Sequence, residues 1–325
     1  MCALAAFVCA TVLAPAAAAP TGEVMAKLSR AVLKVTAVGD GDDLSIGSAV
    51  VIGPDTVLTN CHVVRHAHTV VLSRGLAQYA VVGERADMSR DLCLLRTEKT
   101  LPHPGVDIRA ARTLQPGEPV VAHGYTGGTT PLFARGVVVD LHATSGSHII
   151  QTSAGFMQGA SGGGLFDEAG KLIGITTFFT AAERAAYFAV PADWSERVLE
   201  RAEHAPRPLG GSALWERLPS GQPHFMRMIE PLSSGDWARV AGLAEAWSEA
   251  APQAPAAWLM RARAARALGQ VRRADTWLRH AIVLARQDRI ELARIAAHAR
   301  DADLQDALAL AVTALARLQP VPLPD

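Results

Sequence analysis

One serine sits among four glycines in the string QGASGGGLFD, residues 158–167, a composition that suits a nucleophile. Glycine lets backbone N–H groups face an approaching ligand with no Cβ in the way. A serine in such a bend can attack a carbonyl while the surrounding N–H groups receive the developing oxyanion. A glycine-rich turn with a solvated serine has the same composition, and the string also fits the G-x-S-x-G elbow of a different hydrolase fold. Ser161 therefore needs partners: a base to take its proton and an acid to orient that base. VLTNCHVV, residues 57–64, offers His62 at the end of a β-like run, and RDLCLLRT offers Asp91 at the head of the apolar run 92–95. A carboxylate leading into a buried strand is explained by charge-assisted bonding to a histidine, or by a strand that starts at the surface.

The elements around these residues bear on the choice. LFDEAGKLIGITTF, which follows Ser161, reads strand, turn, strand, whereas a nucleophile elbow requires a helix there, and no histidine follows Ser161 until His204. The order His, Asp, Ser is also not the order of the α/β-hydrolases. From about Leu28 to Pro191 the chain reads as short β segments, among them AVLKVTAVG, SAVVIG, DLCLLRT, PVVAHG, HIIQTS and AYFAVP, punctuated by Gly, Pro, Asp and Ser. Such spacing predicts an all-β sandwich or barrel. Residues 193–203 read as a short helix with Asp193 near its N-cap. Residues 205–223 are rich in Pro and Gly, a linker signal. From about Phe225 to Leu318, apolar residues recur at helical spacing, and Gly235 and Gly269 stand 34 residues apart. With Trp258, Ala265, Ala274 and Ala281, that period resembles the tetratricopeptide repeat; a plain α-hairpin domain is the alternative.

The bulk composition sets further bounds. The chain has 325 residues, enough for two domains, is half apolar, and carries a formal net charge of zero, which gives no electrostatic reason to expect nucleic acid. Residues 1–19 form an uncharged apolar run ending in small residues, the pattern of a secretory signal peptide. No later run has the roughly 20 apolar residues a membrane span needs, so an exported protein, periplasmic or secreted and without stable membrane insertion, is expected. Removing the signal takes Cys2 and Cys9 and leaves Cys61 and Cys93, either as one disulfide or as two buried thiols. The cluster His62, His66 and His68 raises a metal site, but with no matching ligand set it reads as a solvated loop; no metal or cofactor is expected.

TNCHVV, DLCLL and QGASGGGLFD, in that order, resemble the histidine, aspartate and serine elements of trypsin-like serine proteases, and GITTF and YFAVP resemble the pocket strands of bacterial HtrA/DegP-like members. The resemblance covers about residues 25–200. It implies two perpendicular antiparallel six-stranded barrels, followed here by an all-α helical-repeat domain. It also implies the triad His62, Asp91 and Ser161, an oxyanion hole of the Gly159 and Ser161 N–H groups, and a specificity pocket of Gly155, Thr177, Phe178 and Ala186. No acid lines that pocket, so small or medium apolar P1 residues are expected. Cys61 and Cys93 would flank the buried carboxylate, which favours a disulfide. Ala160 replaces the aspartate that pairs with a newly cut N-terminus in the digestive enzymes, so no zymogen switch of that kind is expected. The resulting division is a signal peptide at 1–19, a protease domain at 20–204, a linker at 205–223 and a helical domain at 224–325. A polypeptide is the expected substrate, with a protein partner on the helical repeats. A non-catalytic sensor and an esterase on the same triad are the competing readings.

Overall fold

The computed structural model describes residues 22–41, 43–180, 185–301 and 304–318. The expected signal peptide and the last residues of the chain lie outside them.

The chain enters through a helix, α1 (Gly22–Ala31), whose Leu28 and Ala31 are buried. Six strands follow: β1 (Val32–Val38), β2 (Leu44–Val51), β3 (Thr56–Thr59), β4 (Thr69–Arg74), β5 (Ala77–Asp87) and β6 (Leu92–Thr97), with the one-turn helix α2 (Cys61–Val64) after β3. They close antiparallel in the order β1-β2-β3-β6-β5-β4. The second set is β7 (Pro119–Gly124), β8 (Leu132–Thr144), β9 (Ser147–Thr152), β10 (Gly164–Asp167), β11 (Leu172–Thr180) and β12 (Ala186–Pro191). It closes in the order β10-β11-β12-β9-β8-β7. Closure pairs the backbone groups of every strand edge, which satisfies chains as short and β-branched as these. Leu33 and Val35 from the alternating face of β1, with Val57, Leu72 and Leu95 from other strands, fill one barrel. The other barrel is filled by Val120, Leu141, Ile150, Leu165 and Ile173. β11 is buried over nearly its whole length, because one face lines its barrel and the other meets the neighbouring core.

After β12 the chain makes a short 3-10 turn and α3 (Ser195–Leu199). The Asp193 side chain does not cap a helix running to residue 203. It lies within the turn and accepts from Ser147 Oγ at 2.9 Å and the Ala111 N–H at 3.3 Å. The Pro- and Gly-rich segment 205–223 joins the two parts as a packed connector, with Ala213 and Leu214 buried. At its start, His204 pairs in both directions with the backbone of Glu84 on β5, at 2.7 and 3.0 Å. Six helices follow: α4 (His224–Ser233), α5 (Trp237–Ala250), α6 (Pro255–Ala267), α7 (Val271–Leu284), α8 (Arg289–Asp301) and α9 (Gln305–Arg317). Gly235 and Gly269 occupy equivalent turns, at φ 71° and 75°, two residues before α5 and α7. Ala265, Ala274 and Ala281 are buried between helices, where small side chains let the axes approach.

The helices dock on the second barrel. Arg294 reaches Asp140 Oδ1 at 2.6 Å and Glu291 Oε1 at 2.9 Å, and Phe225 stacks on His142 at 4.1 Å. Burial pushes the Asp140 pKa up, but the Arg294 charge, His142, the Leu141 N–H and the Arg294 hydrogen bond together outweigh it and hold the group below its ordinary value.

The Glu84 carboxyl is covered where the connector crosses β5, and burial raises its pKa to about 7, against the opposing pull of Arg207. The folded chain thus holds this proton more tightly than the unfolded chain. Its contribution to stability is complete below the ordinary glutamate value and is lost as pH rises through about 7. Glu84→Gln is expected to stabilise the protein by about 2–3 kcal/mol at pH 8 and negligibly at pH 4. Denaturant midpoints at the two pH values check this, and equal gains at both would contradict it.

Candidate active site

The residues singled out by type converge at the seam between the barrels. β3 ends at Thr59, and the next turn of chain is α2, which lifts His62 to the seam. Asp91 ends the β5–β6 turn with φ 54°, a left-handed conformation in which aspartate is among the more tolerant residues. Its carboxylate is fully buried, and three donors reach it. The His62 N–H donates to Oδ1 at 2.8 Å, His62 Nδ1 lies 2.6 Å from Oδ2, and Trp215 Nε1 donates to Oδ2 at 2.9 Å. A carboxylate bonded in this way can fix the imidazole tautomer with Nε2 free to accept a proton.

Ser161 comes from the second barrel, on the turn before β10. That turn is stitched to the first barrel at several points. The Ser48 N–H donates to the Ser161 carbonyl at 2.8 Å, Ser48 Oγ to the Gly159 carbonyl at 2.9 Å, and the Gly162 N–H to Asn60 Oδ1 at 2.7 Å. Glycine is required at two of these places. Gly159 has φ 91° and a Cβ there would lie 2.5 Å from the Tyr125 carbonyl, while at Gly162, with φ 85°, it would lie 2.0 Å from the Ser48 carbonyl. Among the described residues, neither the Gly159 nor the Ser161 N–H has a protein acceptor. Ser161 Oγ itself donates to the Thr177 carbonyl at 3.4 Å, not to His62.

Asn60 is a site residue that its type and spacing did not single out. It is fully buried, and its amide donates to the Asp91 carbonyl at 2.8 Å and to Thr177 Oγ1 at 3.0 Å while its oxygen holds the Gly162 N–H. One side chain thus ties the acid's turn, the serine's turn and β11 together. Its position directly before the Cys-His pair was the only signal available. Cys61 and Cys93 are disulfide-bonded, with Cα atoms 4.9 Å apart. The bridge joins the residue before His62 to the residue two after Asp91.

A cavity of about 300 Å³ opens beside the serine turn, lined by Gly155, Phe156, Ala160, Thr176, Tyr187 and, deeper, His123. Of the four residues expected to form a specificity pocket, Gly155 lines it. Thr177 is buried against Asn60, Phe178 packs on Phe188 at 4.7 Å and Trp215 at 6.0 Å, and Ala186 lines a different cavity beside Phe225. Among the described residues, no carboxylate lines the 300 Å³ space. Burial lowers the His123 pKa to about 4, so His123 is neutral at neutral pH. His66 and His68 lie apart from the site: His66 is exposed, and His68 Nε2 faces Asp40 at 3.2 Å.

Two closed six-stranded barrels with a bonded histidine–aspartate pair at their seam, followed by helices, make this a trypsin-like serine-protease fold with a C-terminal helical domain. Residues 47–175 match the trypsin-like peptidase domain. The chain is 30% identical over 186 residues to the serine endoprotease DegS of Haemophilus influenzae, a match that covers 50% of this chain and 53% of that protein. It is 27% identical over 182 residues to the anti-sigma-I factor RsgI9 of Acetivibrio thermocellus, covering 55% of this chain and 26% of that protein. Among solved structures it is similar to the Rv3671c protease of M. tuberculosis in its active form, with a TM-score of 0.51 and 25% identity over 60% of this chain and 92% of that one. The chain spans about half or less of the length of these two curated relatives.

Proposed function

We propose that the protein is an exported serine endopeptidase that cleaves peptide bonds through an acyl-enzyme. The observation that carries this is the buried Asp91 carboxylate fixed on His62 Nδ1 at the seam where the Ser161 turn crosses. In this reading His62 Nε2 takes the Ser161 proton, Ser161 Oγ attacks the scissile carbonyl, and Asp91 stabilises the imidazolium. The Gly159 and Ser161 N–H groups receive the oxyanion; one such donor contributes roughly 3–4 kcal/mol of transition-state stabilisation. Ser161 Oγ must leave the Thr177 carbonyl to engage His62, and catalytic hydrogen bonds commonly form only in the substrate complex. The cavity beside Gly155 and Tyr187, with no carboxylate among its described lining residues, takes the P1 side chain, which favours small or medium apolar residues over Arg or Lys.

Residues 1–19 serve as the export signal, 20–204 as the protease domain, 205–223 as the connector and 224–325 as the helical domain. The paired helices and their repeated glycine turns support a tetratricopeptide-like array that docks a protein partner. A second reading, a non-catalytic sensor on the same fold, draws on the Ser161–Thr177 hydrogen bond and on the name of the anti-sigma relative. Labelling of the purified protein with a fluorophosphonate decides between them. A covalent adduct is expected on the wild type and none on Ser161→Ala. A folded wild type that takes no adduct favours the sensor.

A further inference from the structure

The side chain that completes the environment of Asp91 comes from outside both barrels. Trp215 lies in the connector, more than a hundred residues after Asp91, yet its Nε1 donates to Asp91 Oδ2, the same oxygen that faces His62 Nδ1. Its ring also meets the His62 imidazole edge to face, with centroids 5.3 Å apart and planes at 88°. One side chain therefore touches both members of the pair. The connector is held so that the indole stays there. Arg65, three residues after His62, forms a two-pronged ion pair with Glu216, and the Leu209 N–H donates to the Arg65 carbonyl at 2.7 Å. Glu216 Oε2 also accepts from the Ala213 N–H at 2.9 Å, and the Gln222 amide donates to the carbonyls of Trp215 and Arg217. Two residues beyond Gln222 the chain becomes α4, whose Phe225 is stacked on His142 of the second barrel.

We propose that Trp215 is a positioning residue for acyl transfer, supplied by the connector. It donates a hydrogen bond that orients the Asp91 carboxylate and forms a wall that fixes the His62 ring. The connector is pinned by Arg65–Glu216 at one end and by the docked helices at the other, so displacement of the helical domain would reach the proton relay through this one side chain. The proposal rests on the endopeptidase reading for its kinetic consequence and on the geometry alone for its structural one.

Trp215→Phe keeps an aromatic ring and removes the N–H. It is expected to lower kcat about 10-fold or more, as loss of a hydrogen bond to a charged group does, with KM within about twofold. Filling of the core alone would instead move stability without this split. An independent readout is the low-field proton resonance of His62 Nδ1–H, assigned by its loss in Asp91→Asn. Trp215→Phe should shift or broaden it, whether or not the protein turns over substrate. An unmoved resonance together with wild-type kcat overturns the proposal. A wild type that takes no fluorophosphonate overturns the endopeptidase reading instead, and the resonance still decides the role of Trp215. Should Trp215→Phe fail to fold, Glu216→Gln, which weakens the connector's anchor from a half-buried position, carries the same two measurements with the same expected signs.

Discussion

Replacing Asp91 with asparagine is expected to reduce kcat about ten-thousand-fold while leaving the fold intact. The size of the effect follows from how the carboxylate is satisfied. Asp91 Oδ1 accepts the His62 N–H, and Oδ2 accepts from Trp215 Nε1 and faces His62 Nδ1, all within 2.9 Å and with the carboxylate fully buried. An amide turns one of those two acceptors into a donor. In either orientation an NH₂ then points at an N–H, and where it faces His62 Nδ1 the imidazole must adopt the tautomer that carries its proton on Nε2. That tautomer cannot take the Ser161 proton. The negative charge that would stabilise the imidazolium is lost in both orientations. Asparagine tolerates the left-handed backbone at this position, so no unfolding is expected. Steady-state kinetics on a peptide substrate, with circular dichroism as the check on folding, measure the effect. A kcat within tenfold of wild type would remove Asp91 from the mechanism.

The second large effect is expected from the disulfide. Replacing Cys61 and Cys93 together with serine should destabilise the protein by about 3–4 kcal/mol, the chain-entropy value for a loop of this length. The bridge spans 32 residues and closes the loop that carries both His62 and Asp91, so the unfolded chain gains much freedom when it is removed. Both half-cystines are fully buried in the core of the first barrel, and two hydroxyls there add a polar cost. Activity should fall as well, because the bridge lies directly behind the His62–Asp91 pair. Denaturant unfolding of the wild type and the double variant, with and without reductant, gives the stability difference. Equal midpoints would show that the bridge contributes no net stability.

Much of the fold was legible because its signals are local. Alternating β-branched and apolar residues, with Gly, Pro and Asp between them, marked the β segments that the barrels contain. The return of glycine after 34 residues marked the helical turns, which need a positive φ at Gly235 and Gly269. The helix α1 went unread, although Val24, Leu28 and Ala31 stand at helical spacing, because it lies between the apolar leader and the first strand. The connector was legible as a break in periodicity but not as a packed element. A tryptophan in a Pro- and Gly-rich string carries no periodic signal, and its partners His62, Asp91 and Phe178 are remote in sequence. The cavity residues are a different case. The β11–β12 ladder changes register between Thr176 and Phe178, so a period of two cannot be carried through the strand. Thr176 and Tyr187 line the cavity beside the serine turn, and their neighbours Thr177 and Ala186, expected in a specificity pocket, do not line it.

The amino-acid sequence by itself determined the all-β and all-α halves, the order His62, Asp91, Ser161 and the glycine-rich turn around the serine, since each depends on residue types within a few positions of one another. Tertiary structure alone decided that Asn60 would tie three segments together, that Trp215 would reach Asp91, and that Ser161 Oγ would rest on the Thr177 carbonyl. Those contacts join residues brought together only when two closed barrels and a connector pack. The side chains that make them carry no local trace of the partners they will meet.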